Sequence, residues 1–162
     1  MRGKEAGIYR IVDSPIDLGE LVESVSGQGI GGIATFLGSV RIENEGKKVL
    51  AVEYQAYAPM AEKLLWKIGQ EARQGHGDLR ISMVHRVGRL EIGEISVGIA
   101  AGSPHRREAL SAVAYAIERV KESVPIWKRE YYADGSAWLG PASPPPPGSA
   151  QKKGKPGGLP PE

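Results

Sequence analysis

Three short stretches place cations where they could do chemistry. In "SPHRREA" (103–109), His105, Arg106 and Arg107 fill the first turn of an expected helix, where the helix dipole already presents partial positive charge and favours acids. Free backbone N–H groups beside two or three cationic side chains suit a phosphate or a carboxylate. The plain alternative, arginines turned to solvent and paired with Glu108, stays open at this level. In "TFLGSVR" (35–41), Arg41 closes a β-rich run of small residues just before a turn. Its guanidinium could clamp a planar or phosphorylated ligand through two parallel hydrogen bonds, or it could face water. In "VKESVPIWKRE" (120–130), Lys121 falls in the last turn of a helix, where the dipole favours a cation in any case. Lys128 alternates with Trp127 and Arg129 along an extended segment and shares a face with Glu130. Were both lysines gathered near Arg41, His105 and Arg106, the crowding of like charge would favour an uncharged, nucleophilic amine. Composition does not decide between that cluster and two ordinary surface lysines.

The remaining chemistry-bearing residues narrow the field. His85 lies in "MVHRVG" on the same strand face as Leu79, Ile81 and Met83, which reads as a buried, hydrogen-bonded histidine rather than a ligand. His76 in "QGHGD" reads as a loop residue. Three scattered histidines and no cysteine give no expected metal site, no disulfide and no thiolate nucleophile. There is no phosphate-cradling P-loop, dinucleotide fingerprint or nucleophile elbow, and no resident cofactor is expected.

The elements that must position these side chains alternate between strand and helix periods. Strands are expected at 7–13, 28–41, 49–57, 79–88 and 94–103, and helices at 14–25, 59–73 and 103–124. The strands at 28–41 and 49–57 flank the turn "ENEG" and should form a hairpin. Pro125 turns Val124 away from helical geometry, so the last helix stops there and "IWKREYYA" continues extended. The expected fold is α+β, with helices packed on a largely antiparallel sheet.

Residues 1–138 suit a single domain of ordinary size. From Leu139 to Glu162 the chain holds eight of its twelve prolines and few apolar residues, and a disordered tail is expected over 139–162. Lys152, Lys153 and Lys155 against Glu162 account for the whole net charge of +2. The body is therefore electrically balanced, and any cationic site in it is a local concentration. A broad nucleic-acid footprint is not indicated. No apolar run reaches the roughly 20 residues of a membrane span and the N-terminus shows no signal-peptide core, so a cytoplasmic protein is expected.

"GGIATFLGSVR", "VEYQAYAPMAEK", "VHRVGRLEIGEISVGIAAGSPHRREAL" and "VKESVPIWKRE" together resemble the catalytic, large-subunit family of molybdopterin synthase, in the family's order from about residue 7 to Trp138. The resemblance implies an α/β hammerhead fold and a central homodimer. It also implies a ubiquitin-like small sulfur-carrier subunit that inserts a C-terminal Gly-Gly thiocarboxylate into a pocket of the large subunit. Two sulfurs would pass to cyclic pyranopterin monophosphate, giving the dithiolene of molybdopterin. Carried over by motif, Lys121 and Lys128 match the catalytic lysines. The motifs "GSVR", "SPHRR" and "PIWKRE" place Ser39, Val40, Arg41, His105, Arg106, Arg129 and Glu130 in substrate binding. A non-catalytic α+β module binding a phosphorylated ligand or RNA would use the same arginines, but exposed aromatic platforms for stacking bases are scarce.

Overall fold

The computed structural model describes residues 7–141. The elements are β1 (Tyr9–Val12), α1 (Leu18–Val25), β2 (Gly32–Ser39), β3 (Glu43–Asn44), β4 (Lys47–Lys48), β5 (Ala51–Ala56), α2 (Ala58–Arg73), β6 (Arg80–Arg86), β7 (Gly88–Glu91), β8 (Ile95–Ser103), α3 (Arg106–Ser123), β9 (Ile126–Tyr132) and β10 (Gly135–Leu139).

The strands divide between two four-stranded sheets, ordered β1-β6-β8-β2 and β10-β9-β5-β7, and a small β3-β4 ribbon. Every pairing is antiparallel except that of β1 with β6. The fold is α+β as expected, although the antiparallel structure forms two sheets rather than one.

Alternation along β6 and β8 loads both faces of the first sheet. Ile81, Met83, Ile99 and Ala101 point to one side and pack with Leu65 and Ile68 of α2 and Ala112, Val113, Ala116 and Val120 of α3. Val84 and Ala100 point to the other, against Leu21 and Val25 of α1. The second sheet has its own core of Val40, Val49, Val52 and Leu90.

Two differences from the sequence expectations matter for the site. The strands at 28–41 and 49–57 do not form a hairpin: β2 pairs with β8, whereas β5 pairs with β7 and β9. Val40 and Val49, at the two ends of the connection, both sink into the second sheet's core, so the chain crosses between sheets instead of folding back. In between, Asn44 pairs with Lys47 across a turn in which Glu45 and Gly46 both have positive φ, 49° and 78°, the two-residue geometry whose twist matches that of a hairpin. The expected strand at 79–88 also divides. At Gly88, where φ is 93°, the chain leaves the first sheet, and the stretch expected as a loop becomes β7 of the second.

Helix starts shift for local reasons. Asp17 caps α1 by accepting the Glu20 N–H at 3.2 Å, so the helix begins after Asp17 rather than at Ser14. Ser103 ends β8 and donates its hydroxyl to the His105 carbonyl, which delays α3 to Arg106. Val124 is extended and ends α3, as Pro125 requires. Leu139, assigned to the tail by composition, closes β10 opposite Lys128. The Pro-rich segment from residue 142 onward lies outside the described residues.

Candidate active site

The two sheets meet at an open cavity of about 370 Å³. Its cationic lining comes from three separate elements: Arg41 just beyond β2, Lys121 on the last turn of α3 and Lys128 on β9. Ser39, Tyr54, His85 and Ser96 add polar groups, and Phe36, Val97, Ile117 and Val124 form apolar wall. Arg41 reaches this place through a shift in the β2–β8 register between Gly38 and Ser39, a bulge of the kind that re-aims side chains beside functional sites. Pro125 ends the helix bearing Lys121 and sends the chain into the strand bearing Lys128, and Trp127, 3% exposed, anchors that strand with its ring edge-to-face on Tyr57.

Lys128 does not stand alone. Its Nζ lies 2.8 Å from Glu130 Oε1, on a side chain only 1% exposed. Asn44 Nδ2 donates to both Glu130 oxygens at 2.9 and 3.1 Å, and the Tyr132 hydroxyl donates to Oε2 at 2.6 Å. Burial pushes the Glu130 carboxyl up, but its bonds from Lys128, Tyr132 and Asn44 outweigh that and hold it below the usual range. Burial, then the bond to Glu130, pushes the Tyr132 phenol up to about 12. A smaller recess containing Asn44, Glu130 and Lys128 opens beside this cavity, so the β3-β4 ribbon is tied to the carboxylate that holds the amine.

The structure sorts the residues predicted for the site. Ser39, Arg41, Lys121 and Lys128 come together, with Glu130 behind Lys128. Val40 is absent from the wall of the 370 Å³ cavity, although it lines the smaller recess beside it with Ser39, Arg41, Lys128 and Glu130. Its side chain is buried in the second core, its N–H donates to the Glu94 carbonyl and its own carbonyl accepts from Gly93. Arg129 points to the opposite face of β9, where its guanidinium lies 5.0 Å from the Tyr131 ring centre and 5.6 Å from that of Trp138 and donates to Ser136 at 2.9 Å. Strand alternation explains this, because neighbours in a strand cannot share a face. His105 and Arg106 sit at the far end of α3 from Lys121. Arg106 and Lys121 are fifteen positions apart along the helix, about 22 Å at 1.5 Å per residue, and His105 lines a different cavity with His76, Asp78 and Glu108.

Sequence reasoning missed Tyr54, His85 and Ser96 as lining residues and Asn44 and Tyr132 as partners of Glu130. Only β10 carried a readable signal: Asp134 and Gly135 between extended runs suggest a turn, and the hairpin that forms around Ala133-Asp134 brings Leu139 and Gly140 to the cavity. His85 is buried and hydrogen-bonded, as its strand face suggested, and it also lines the cavity. Among the described residues no cluster of His, Asp and Glu could hold a metal ion, and no helix is long and apolar enough to cross a membrane.

Helices on both faces of one sheet and a second sheet closing a cavity lined by one arginine and two lysines define an α+β protein with a local concentration of positive charge. A family model described as "MoaE protein" matches residues 11–123, and the chain belongs to that family. Over 132 residues it is 44% identical to the molybdopterin synthase catalytic subunit of Halalkalibacterium halodurans, covering 82% of this chain and 85% of that one. It is 42% identical over 132 residues to the Bacillus subtilis protein of the same name, covering 82% and 84%. The crystal structure of molybdopterin synthase from Staphylococcus aureus superimposes with a TM-score of 0.79 at 45% identity, covering 82% of this chain and 96% of that one.

Proposed function

We propose that this protein is a molybdopterin synthase catalytic subunit. It takes sulfur from the C-terminal Gly-Gly thiocarboxylate of a small ubiquitin-like carrier subunit and delivers two sulfur atoms to cyclic pyranopterin monophosphate, building the dithiolene of molybdopterin. The observation that carries this reading is the convergence of Arg41, Lys121 and Lys128 on one cavity in a chain whose body has no net charge. Both the phosphate and the thiocarboxylate are anions, and charge-assisted hydrogen bonds from fixed cations are the strong way to bind them.

Each group has a role in this scheme. Arg41 holds the phosphate or the pterin edge. Lys128, fixed by Glu130, and Lys121 stabilise negative charge where it develops on the attacked carbon's oxygen and supply protons to the leaving oxygen. Ser39 adds a hydroxyl at the rim.

His105 and Arg106 enter the same scheme from a second copy. One chain holds them at the wrong end of α3, and a homodimer that set this end of the helix against the partner's cavity would add a guanidinium and an imidazole to it. A cytoplasmic location is part of the same proposal.

The deciding experiment combines the protein with a thiocarboxylated carrier and cyclic pyranopterin monophosphate and measures dithiolene formation. Product is expected in stoichiometric amounts. Its absence with a carrier proven competent on another synthase would defeat the assignment.

A further inference from the structure

His85 extends the face of β6 that carries Ile81 and Met83, one step beyond the helical core, and meets Tyr54 of the second sheet edge-to-face at 5.0 Å. It is 6% exposed, yet its ring forms part of the wall that also carries Arg41, Lys121 and Lys128. Nδ1 lies 2.9 Å from the Arg86 carbonyl oxygen. A carbonyl can only accept, so the hydrogen of the neutral ring is on Nδ1 and Nε2 carries a lone pair. Among the described residues Nε2 has no hydrogen-bond partner.

The charged groups of this wall are hydrogen-bond donors. The nearby carboxylate, Glu130, is already engaged by Lys128, Asn44 and Tyr132. His85 is therefore an uncharged nitrogen base set among cations, and the roles assigned above leave it unused. Sulfur transfer needs such a base at a definite point. Once the carrier's sulfur is bonded to a pterin carbon, the carrier remains attached through that sulfur as an acyl thioester. Release requires water: a carbon–oxygen bond forms at the carrier's terminal carbonyl and its carbon–sulfur bond breaks, leaving a carboxylic acid on the carrier and sulfur on the pterin.

We propose that His85 is the general base for this release, its Nε2 taking a proton from the attacking water and returning it to the departing sulfur. The proposal rests on the sulfur-transfer reading above. Burial pushes the imidazole down to about 4, with the Arg86 carbonyl opposing weakly, so the proton-accepting form is the one present at neutral pH. Entry of a phosphate and a thiocarboxylate favours the protonated ring, so the base strengthens when the site is loaded.

The test uses His85→Asn and His85→Gln in single turnovers with thiocarboxylated carrier and cyclic pyranopterin monophosphate, followed by mass spectrometry. The covalent carrier–pterin thioester is expected to form at close to the parent rate and to persist, with release slowed about 100-fold or more. Release at the parent rate overturns the proposal. Failure of the parent protein to make any dithiolene defeats the sulfur-transfer reading, and this one falls with it. If neither variant folds, ¹⁵N spectra of the parent's histidines decide. The His85 Nε2 resonance is expected to move toward its protonated position when precursor and a carrier ending in an unreactive amide are added together, and an unchanged resonance overturns the proposal.

Discussion

The Lys128 amine and the Glu130 carboxylate leave the same face of β9 and meet at 2.8 Å, with the carboxylate sealed from solvent and the amine reaching the cavity. The pair gives a strand lysine, which would otherwise sample many rotamers, one position beside the reacting groups. Replacing Lys128 with Ala should lower single-turnover dithiolene formation by at least about 100-fold, the range over which a positioned acid–base group acts, while a carrier pull-down still succeeds. Parent-like turnover would remove Lys128 from the mechanism.

Stability should report the same pair differently. Lys128→Ala or Glu130→Gln alone breaks a mostly buried pair and should cost about 3 kcal/mol in urea unfolding. Lys128→Met combined with Glu130→Leu should regain only part of that loss, because Asn44 and Tyr132 lose their shared acceptor, and should not regain activity. A double variant no more stable than the singles would show that the pair does not act as a unit.

Asn44 anchors the β3-β4 ribbon to Glu130 through one amide. Asn44→Ala should cost about 1–2 kcal/mol and slow turnover less than Lys128→Ala does, because Tyr132 and Lys128 still hold the carboxylate. Hydrogen exchange should quicken in residues 42–49 alone if the amide is the tie that matters.

His85 predicts a pH signature in the free protein. Its ordinary pKa of 6.5 falls to about 4 in the fold, so folding favours the neutral ring. That contribution is complete above pH 6.5 and is lost as pH falls from 6.5 to about 4, with a size of roughly 3 kcal/mol from 1.36 kcal/mol per unit. Thermal melts across this window should show a steeper acid decline for the parent than for His85→Gln. Parallel curves would mean that the ring is not held neutral.

Mixed dimers test the sharing of sites. Lys128→Ala and Arg106→Ala homodimers should each be weak. A one-to-one mixture allowed to exchange subunits should recover up to about one quarter of parent activity, since half the dimers are mixed and each has one intact site. No recovery would show that Arg106 does not act across the dimer.

Arg129 shows where motif and geometry part. Its identity within "PIWKRE" points to substrate, but β9 turns it onto Tyr131 and Trp138. Arg129→Lys should lower stability by about 1 kcal/mol, through loss of the planar stack, without changing KM for the pterin. Asn44 is the converse case. Nothing local in "ENEG" marks it, because its partner Glu130 lies 86 residues away.

By itself the sequence determined the strand and helix periods, the break at Pro125 that separates Lys121 from Lys128, and the cations available to a site, because these follow from side-chain spacing and backbone restriction within a few residues. Tertiary structure alone decided that β2 and β5 belong to different sheets, that Arg41, Lys121, Lys128 and His85 face one cavity, and that Val40, Arg129, His105 and Arg106 do not face it. The physical reason is that strand pairing and burial are set by contacts between distant segments. A period of two tells which residues share a face, and only the packed sheets tell what that face meets.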